Sequence, residues 1–262
     1  MYLQKEWTYG NRIEVKKYHT FRYGVKGEKR GKRKNPTAEQ IREANNKRAR
    51  KKLKRLMINN FDLGDWHLTL TYSEENRPDV MESKKCLKKF WDIMRREYRK
   101  AGTELRFIVV TEWESTRIHH HIAINDVPGF ATVIRKAWPY GGAHLTPLYE
   151  NYDYEGLADY FVKETEETYK NENNPYKQRW SCSRNLKKPV EETKIVKADS
   201  WRKEPKITKK LEGQGYRLDM RSLYVGVDAM GYPFQTYQFV REEGRNRIKR
   251  QRRQQKKRDE AA

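Results

Sequence analysis

Three consecutive histidines, His119, His120 and His121, stand at the head of an apolar run in the segment RIHHHIAIN (117–125). Successive side chains on a strand point to opposite faces, so strand geometry splits the trio. His119 and His121 share one face, and His120 lies with Ile118, Ile122 and Ile124 on the other. The preceding stretch LRFIVVTE (105–112) is also strand-like, and the polar connection between the two is short, so the pair reads as a β-hairpin. An imidazole pair on one face of a hairpin strand constrains both the architecture around it and the chemistry it can support.

The neighbouring sequence extends the pattern. DWHLTLTY (65–72) alternates Trp66, Leu68, Leu70 and Tyr72 with His67, Thr69 and Thr71, the period of a strand. Residues 80–100 place Leu87, Phe90, Trp91, Met94 and Tyr98 at helical spacing, the buried stripe of an amphipathic helix. A short helix is expected from Gly129 to Trp138 and a strand over 143–149, with Pro147 at an edge or an end. A last helix covers 155–168. The order β-α-β-β-α-β-α predicts an α+β fold of ferredoxin-like (RRM-like) type, an antiparallel sheet with helices packed on it.

The flanks differ in texture. Residues 1–23 read as one or two short strands, and 24–37 as a Gly- and Lys-rich linker. A helix starts at Pro36-Thr37, and its stretch KRARKKLKR (47–55) is so basic that it is expected on a phosphate backbone rather than in a core. Lys47, Arg48, Arg50, Lys51, Lys52, Lys54 and Arg55 are the candidate contacts. Beyond Tyr169 the chain reads as polar and loop-like until 216–242, a β-hairpin turning at DAMGYP. Residues 245–258 form a basic tail. The expected organisation is a basic arm and helix (1–60), a catalytic domain (61–190), an accessory segment with the hairpin (191–242) and the tail (243–262).

Of the 262 residues 35% are hydrophobic and 36% charged, enough for a core but not for a core running through the whole chain. The formal charge of +22 points to a polyanionic partner, nucleic acid first of all, and the 12% aromatic content supplies rings on which unpaired bases can stack. Two cysteines, Cys86 and Cys182, exclude a disulfide framework or a cysteine-rich zinc module. With no apolar stretch of membrane-spanning length and no signal-peptide core at the N-terminus, a soluble protein of the cytoplasm is expected.

Two imidazoles spaced i, i+2 on a strand can grip one metal ion, and the hairpin offers a third ligand. Glu112 stands where the alternation after Ile108 and Val110 calls for an apolar side chain, and a carboxylate there is costly unless it meets a cation. Glu114, in the turn, is the lesser choice. Two imidazoles and a carboxylate with open positions suit Mn²⁺ or Mg²⁺. On the helix LADYFVKET, Tyr160 and Lys163 project together, three residues apart. A phenol near a metal can attack phosphorus and form a phosphotyrosine, while the ammonium of Lys163 steadies phenolate or phosphate.

HLTLTY, HHHIAI and YFVK, in this order and spacing, resemble the three motifs of HUH-type replication initiators, and GLADYFVKET followed by RWSCSRNLKKP (179–189) is similar to initiators of bacterial mobile elements. The resemblance covers about residues 65–190. It implies His119 and His121 as metal ligands with Glu112 as the third, Tyr160 as nucleophile and Lys163 as its assistant, with Arg179 and Arg184 on DNA. It further implies that one strand of an origin, single-stranded or supercoiled, is cut to leave a 5′ phosphotyrosine and a 3′-OH primer, and is later re-joined. His120 occupies a position that is plain apolar in the family and is expected to pack inward. Tyr152 and Tyr154 are subsidiary candidates for a second nucleophile. GEKRGKR (27–33) lacks the spacing and Ser/Thr of a phosphate-binding loop, so unwinding is left to a host helicase, as extension is to a host polymerase. The competing readings are a single-tyrosine transposase or relaxase, and a DNA-binding regulator with a structural metal.

Overall fold

The computed structural model describes residues 1–21, 23–24, 36–113, 117–148, 154–166, 171, 178–197, 205–228 and 230–241. Glu114, Tyr152, most of the 24–37 linker and the 245–258 tail lie outside the described residues. In chain order the elements are β1 (Tyr2–Tyr9), β2 (Arg12–His19), α1 (Ala38–Asn60), β3 (Trp66–Thr71) and α2 (Val80–Lys100). There follow β4 (Phe107–Glu112), β5 (His119–Ile124), α3 (Phe130–Ala137), β6 (Ala143–Pro147) and α4 (Glu155–Glu164). The last are β7 (Ser181–Cys182), β8 (Val190–Val196), α5 (Lys209–Gly213), β9 (Tyr216–Val227) and β10 (Pro233–Arg241). They group into two compact units, one of Ala44–Lys187 and one of Met1–Glu43 with the described part of Lys188–Ile248.

The unit of Ala44–Lys187 carries the expected antiparallel sheet, in the order β6-β3-β5-β4-β7. Its first four strands reproduce the ferredoxin-like arrangement, with β7 added at one edge. Leu68, Leu70, Ile122, Ile124, Phe107 and Val109 turn one face of this sheet onto α2 and α3. From α2 come Leu87, Phe90, Trp91, Met94 and Tyr98, all buried, as the helical spacing predicts. The helix starts at a capping box in which the Asp79 carboxylate accepts from the Glu82 N–H while the Glu82 side chain accepts from the Asp79 N–H.

The opposite face is covered too. β4 is buried at every position, and Phe161 of α4 lies 5.6 Å from the His67 ring and 6.1 Å from that of His121. Helix α1 corrects the reading of 47–55 as lacking a core face. Leu53, Leu56, Met57 and Ile58 are buried, and Leu53, Leu56, Met57 and Asn60 follow an i, i+3, i+4, i+7 stripe hidden among the lysines and arginines. Lys54 pairs with Glu155 and Arg50 with Asp159, tying α1 to α4, and the Tyr154 hydroxyl donates to the Phe61 carbonyl at 3.1 Å.

The other unit has its own antiparallel sheet, β8-β1-β2-β10-β9, with Ile13, Val15, Tyr216, Tyr237 and Phe239 as its core. The segment 1–23 supplies two paired strands, and β9 and β10 form the expected hairpin. The expectation of a loop-like chain after Tyr169 is corrected by β7 and β8. Strand β8 runs along β1 from Thr8↔Val190 to Tyr2↔Val196. It is an edge strand with no buried residue, so no apolar alternation marks it in the sequence. Among the described residues no helix is long and apolar enough to cross a membrane.

Candidate active site

Strand register assembles the site. Across the β4–β5 hairpin Glu112 sits directly opposite His119 and Val110 opposite His121; across β3–β5, Thr69 faces His121. Directly opposed residues share a face, so Glu112, His119, His121, Thr69 and His67 gather on the side away from α2. His119 Nδ1 lies 3.4 Å from Glu112 Oε2, and the His119 and His121 rings meet edge-on with centroids 4.8 Å apart. His119 Nδ1 is also 2.7 Å from the Arg117 carbonyl oxygen, which fixes the ring.

His120 goes the other way. It is fully buried, with Nε2 3.0 Å from the Tyr72 hydroxyl and Nδ1 2.8 Å from Thr111 Oγ1. Both ring nitrogens are satisfied inside the core, so a polar ring is tolerated where an isoleucine would suit the pattern. Burial pushes its pKa down to about 3, and the ring stays neutral.

Helix α4 delivers the phenol. The Tyr160 Oη is 3.0 Å from His121 Nε2, and the two rings meet edge-on at 4.9 Å. His121 is thus held at both ends, since its Nδ1 is 3.2 Å from Thr69 Oγ1. Burial, aided by His119 and His67, pushes the His121 pKa down to about 3. Burial and the nearby Glu164 and Glu112 carboxylates push the Tyr160 phenol up. Tyr160 nonetheless keeps 38% of its surface open, enough for a substrate to reach it. Lys163 is exposed, one turn further along α4.

Sequence reasoning does not single out His67, Thr69, Thr111 or Tyr72. The alternation of DWHLTLTY places His67, Thr69 and Thr71 on one face; the missing signal is the pairing that lays this face beside His121. His67 is 5.5 Å from the His121 ring, its Nε2 is buried without a hydrogen-bond partner, and burial lowers its pKa to about 4. Tyr154 is buried and bonded to α1, which leaves its hydroxyl away from Tyr160's role.

A carboxylate of 1% exposure beside two imidazoles, one of them held neutral with a lone pair to give, is a donor set that matches a hard divalent cation. Among the described residues no three His, Cys, Asp or Glu side chains stand in a ready-made metal-holding group. The Tyr160 hydroxyl takes up the Nε2 direction of His121 instead.

Of the basic candidates, Lys47, Arg48, Lys51 and Lys52 are exposed on α1, and Arg55 is half-buried. Arg50 and Lys54 engage α4 as described above. Arg179 Nη2 donates to Asn46 Oδ1 at 2.5 Å, and Arg184 is exposed. Neither a curated protein nor a solved structure matches the chain. Residues 65–165, which hold the strands, the three histidines and Tyr160, match the family described as replication-associated protein ORF2/gene 2 protein, and this similarity supports a replication initiator.

Proposed function

We propose that the chain initiates rolling-circle replication by cutting one DNA strand with Tyr160 and re-joining it at the end. The observation that carries this reading is the 3.0 Å approach of the Tyr160 hydroxyl to His121 Nε2, between elements that are 39 residues apart in the chain. A phenol whose pKa is raised does not ionise unaided at neutral pH, so its proton needs an acceptor at the moment of attack. Neutral His121, with Nδ1–H donated to Thr69 Oγ1, offers Nε2 as that acceptor. The phenolic oxygen forms the bond to phosphorus, the bond from phosphorus to the 3′ oxygen breaks, and that oxygen leaves with a proton as the 3′-OH primer. Lys163 steadies the phosphate, and the reverse reaction restores the strand.

His119, His121 and Glu112 would hold the divalent cation, Mn²⁺ or Mg²⁺. When bound it supplies charge neutralisation on the phosphate oxygens. The origin, single-stranded or supercoiled, is the partner; a host helicase and a host polymerase complete the process.

The test is direct. Purified protein with Mn²⁺ and single-stranded origin DNA is expected to give a covalent protein–DNA adduct on a denaturing gel, whereas Tyr160→Phe gives none and still binds the DNA. An adduct that persists in Tyr160→Phe overturns the assignment, and wild-type protein that binds without ever cutting favours a regulator.

A further inference from the structure

On the other face of the sheet from Tyr160, within the same unit, a cavity of 290 Å³ opens between α2, the edge of β4 and the segment 178–182. Its walls are aromatic and its rim is cationic. Trp91 and Phe107 lie stacked, with centroids 3.7 Å apart at 15°, and form one flat wall. Trp180, half-buried, stands among the lining residues, and the Lys52 ammonium lies 5.9 Å from its ring centroid. Lys84, Lys88 and Arg95 line it from α2, at positions that repeat on one side of the helix. Among the described residues no aspartate or glutamate lines it, although Asp92 holds Arg95 from outside at 3.0 Å.

We propose that this cavity receives one unpaired base of the DNA strand being processed, with Lys84 and Lys88 on the flanking phosphates. The inference rests on DNA being the substrate, as proposed above, and adds a second place where the strand is held. Flat aromatic walls suit a base because every base has a π-face, and ammonium groups at the mouth suit the phosphates that come with it. The volume lies at the low end of ligand sites, about 300–1,000 Å³, which admits a single base and excludes a folded partner or a large cofactor. The amide of Gln178 and the hydroxyls of Thr111 and Ser181 offer polar contacts to a base edge. Strand β4 links the two places: Thr111 lines the cavity while Glu112, the next residue, faces the histidines. A strand cut at Tyr160 and passing the end of β4 therefore presents a nearby base to the cavity.

Abasic scanning tests this. A set of single-stranded origin oligonucleotides, each lacking one base, is titrated against the full chain carrying Tyr160→Phe, so that binding is read without cutting. One or two adjacent positions are expected to lose about tenfold in affinity when the base is removed. That penalty is expected to vanish in Trp180→Ala, to survive in Trp180→Phe, and to be joined by a shallower salt dependence in Lys84→Ala/Lys88→Ala. A flat scan, or a penalty equal in Trp180→Ala and its parent, overturns the proposal. The adduct assay separates the two readings: adduct formation with a flat scan removes only the base pocket, and a base penalty without any adduct from wild-type protein removes only the initiator.

Discussion

The two sheets have the same strand number and the same antiparallel pairing, yet their central strands differ. In the sheet of Ala44–Lys187 the central strand is β5, buried at every position but His119. In the other sheet it is β2, where Ile13 and Val15 are buried between partly open neighbours. A strand covered on both faces strips water from any polar group it carries, and this is how β5 holds His120 and His121 neutral, both pushed down to about 3. The core of the other sheet is mostly aliphatic and aromatic. Tyr237 there is pushed up to about 12 by burial, away from any role near neutral pH. Chemistry follows the sheet with two covered faces.

The largest effect that can break this contrast is on catalysis. The double variant His119→Ala/His121→Ala is expected to lose about 10³-fold or more in single-stranded nicking, the scale of a lost metal and its charge neutralisation. His19→Ala, at the end of β2, is expected to stay within about twofold, since His19 lies in the other unit and is stacked on Tyr232. Initial rates on one oligonucleotide decide it; equal losses in the two variants end the distinction.

Stability offers the next test. Ile122 on β5 is fully buried and packed in a continuous core, whereas Ile13 on β2 keeps 7% exposure in a smaller cluster. Isoleucine-to-alanine changes in cores cost about 2–5 kcal/mol. Ile122→Ala is expected in the upper part of that range and Ile13→Ala in the lower, by urea unfolding followed separately for each unit. A larger cost at Ile13 would show that covering both faces is not what makes the first sheet the rigid one.

How much of this is legible in the sequence follows from the range of each signal. The strands β3, β4 and β5 and the stripe of α2 are written in local periodicity, and so is the split that sends His120 inward. The approach of Tyr160 to His121 is not local, and a motif resemblance suggests it where periodicity has no access. The partners of the histidines depend on register: Thr69 and Thr111 are ordinary strand threonines until pairing sets them beside an imidazole. The sheet built from β1, β2, β8, β9 and β10 pairs strands distant in the chain, as in Thr8↔Val190, and edge strand β8 carries no apolar pattern to announce it. In α1 the buried stripe is outnumbered by basic residues, whose charge masks the leucines.

Titration sharpens the same comparison at a smaller scale. His120, His121 and His67 all have lowered pKa values, to about 3, 3 and 4, against about 6.5 when unfolded. Below pH 6.5 the unfolded chain binds protons that the folded rings refuse, so stability falls as pH falls. From about pH 6.5 to about pH 5 this amounts to roughly 1.5 kcal/mol for each ring. Asp65 works in the opposite sense. Burial raises its pKa to about 7, so its contribution is present below about 4 and is lost as pH climbs to 7. With three imidazoles against one carboxyl, chelator-treated protein is expected to melt at a lower temperature at about pH 5 than at about pH 7. A melting point that is level or rises on acidification contradicts the burial of these rings.

The smallest effect concerns α1, where charge serves two ends. Lys47 and Arg48 are exposed, whereas Arg50 and Lys54 face Asp159 and Glu155 of α4. A phosphate competes poorly for a cation that already has a carboxylate, so removing the exposed pair should weaken DNA binding more. Lys47→Ala/Arg48→Ala is expected to reduce the slope of log K against log salt by about 0.7–0.9 for each DNA phosphate that is no longer neutralised. Arg50→Ala/Lys54→Ala is expected to change that slope by less and to cost about 1 kcal/mol or less in stability, as partly exposed ion pairs do. Equal slopes for the two pairs would mean that DNA draws Arg50 and Lys54 away from α4, and the helix carrying Tyr160 would then feel the DNA through α1.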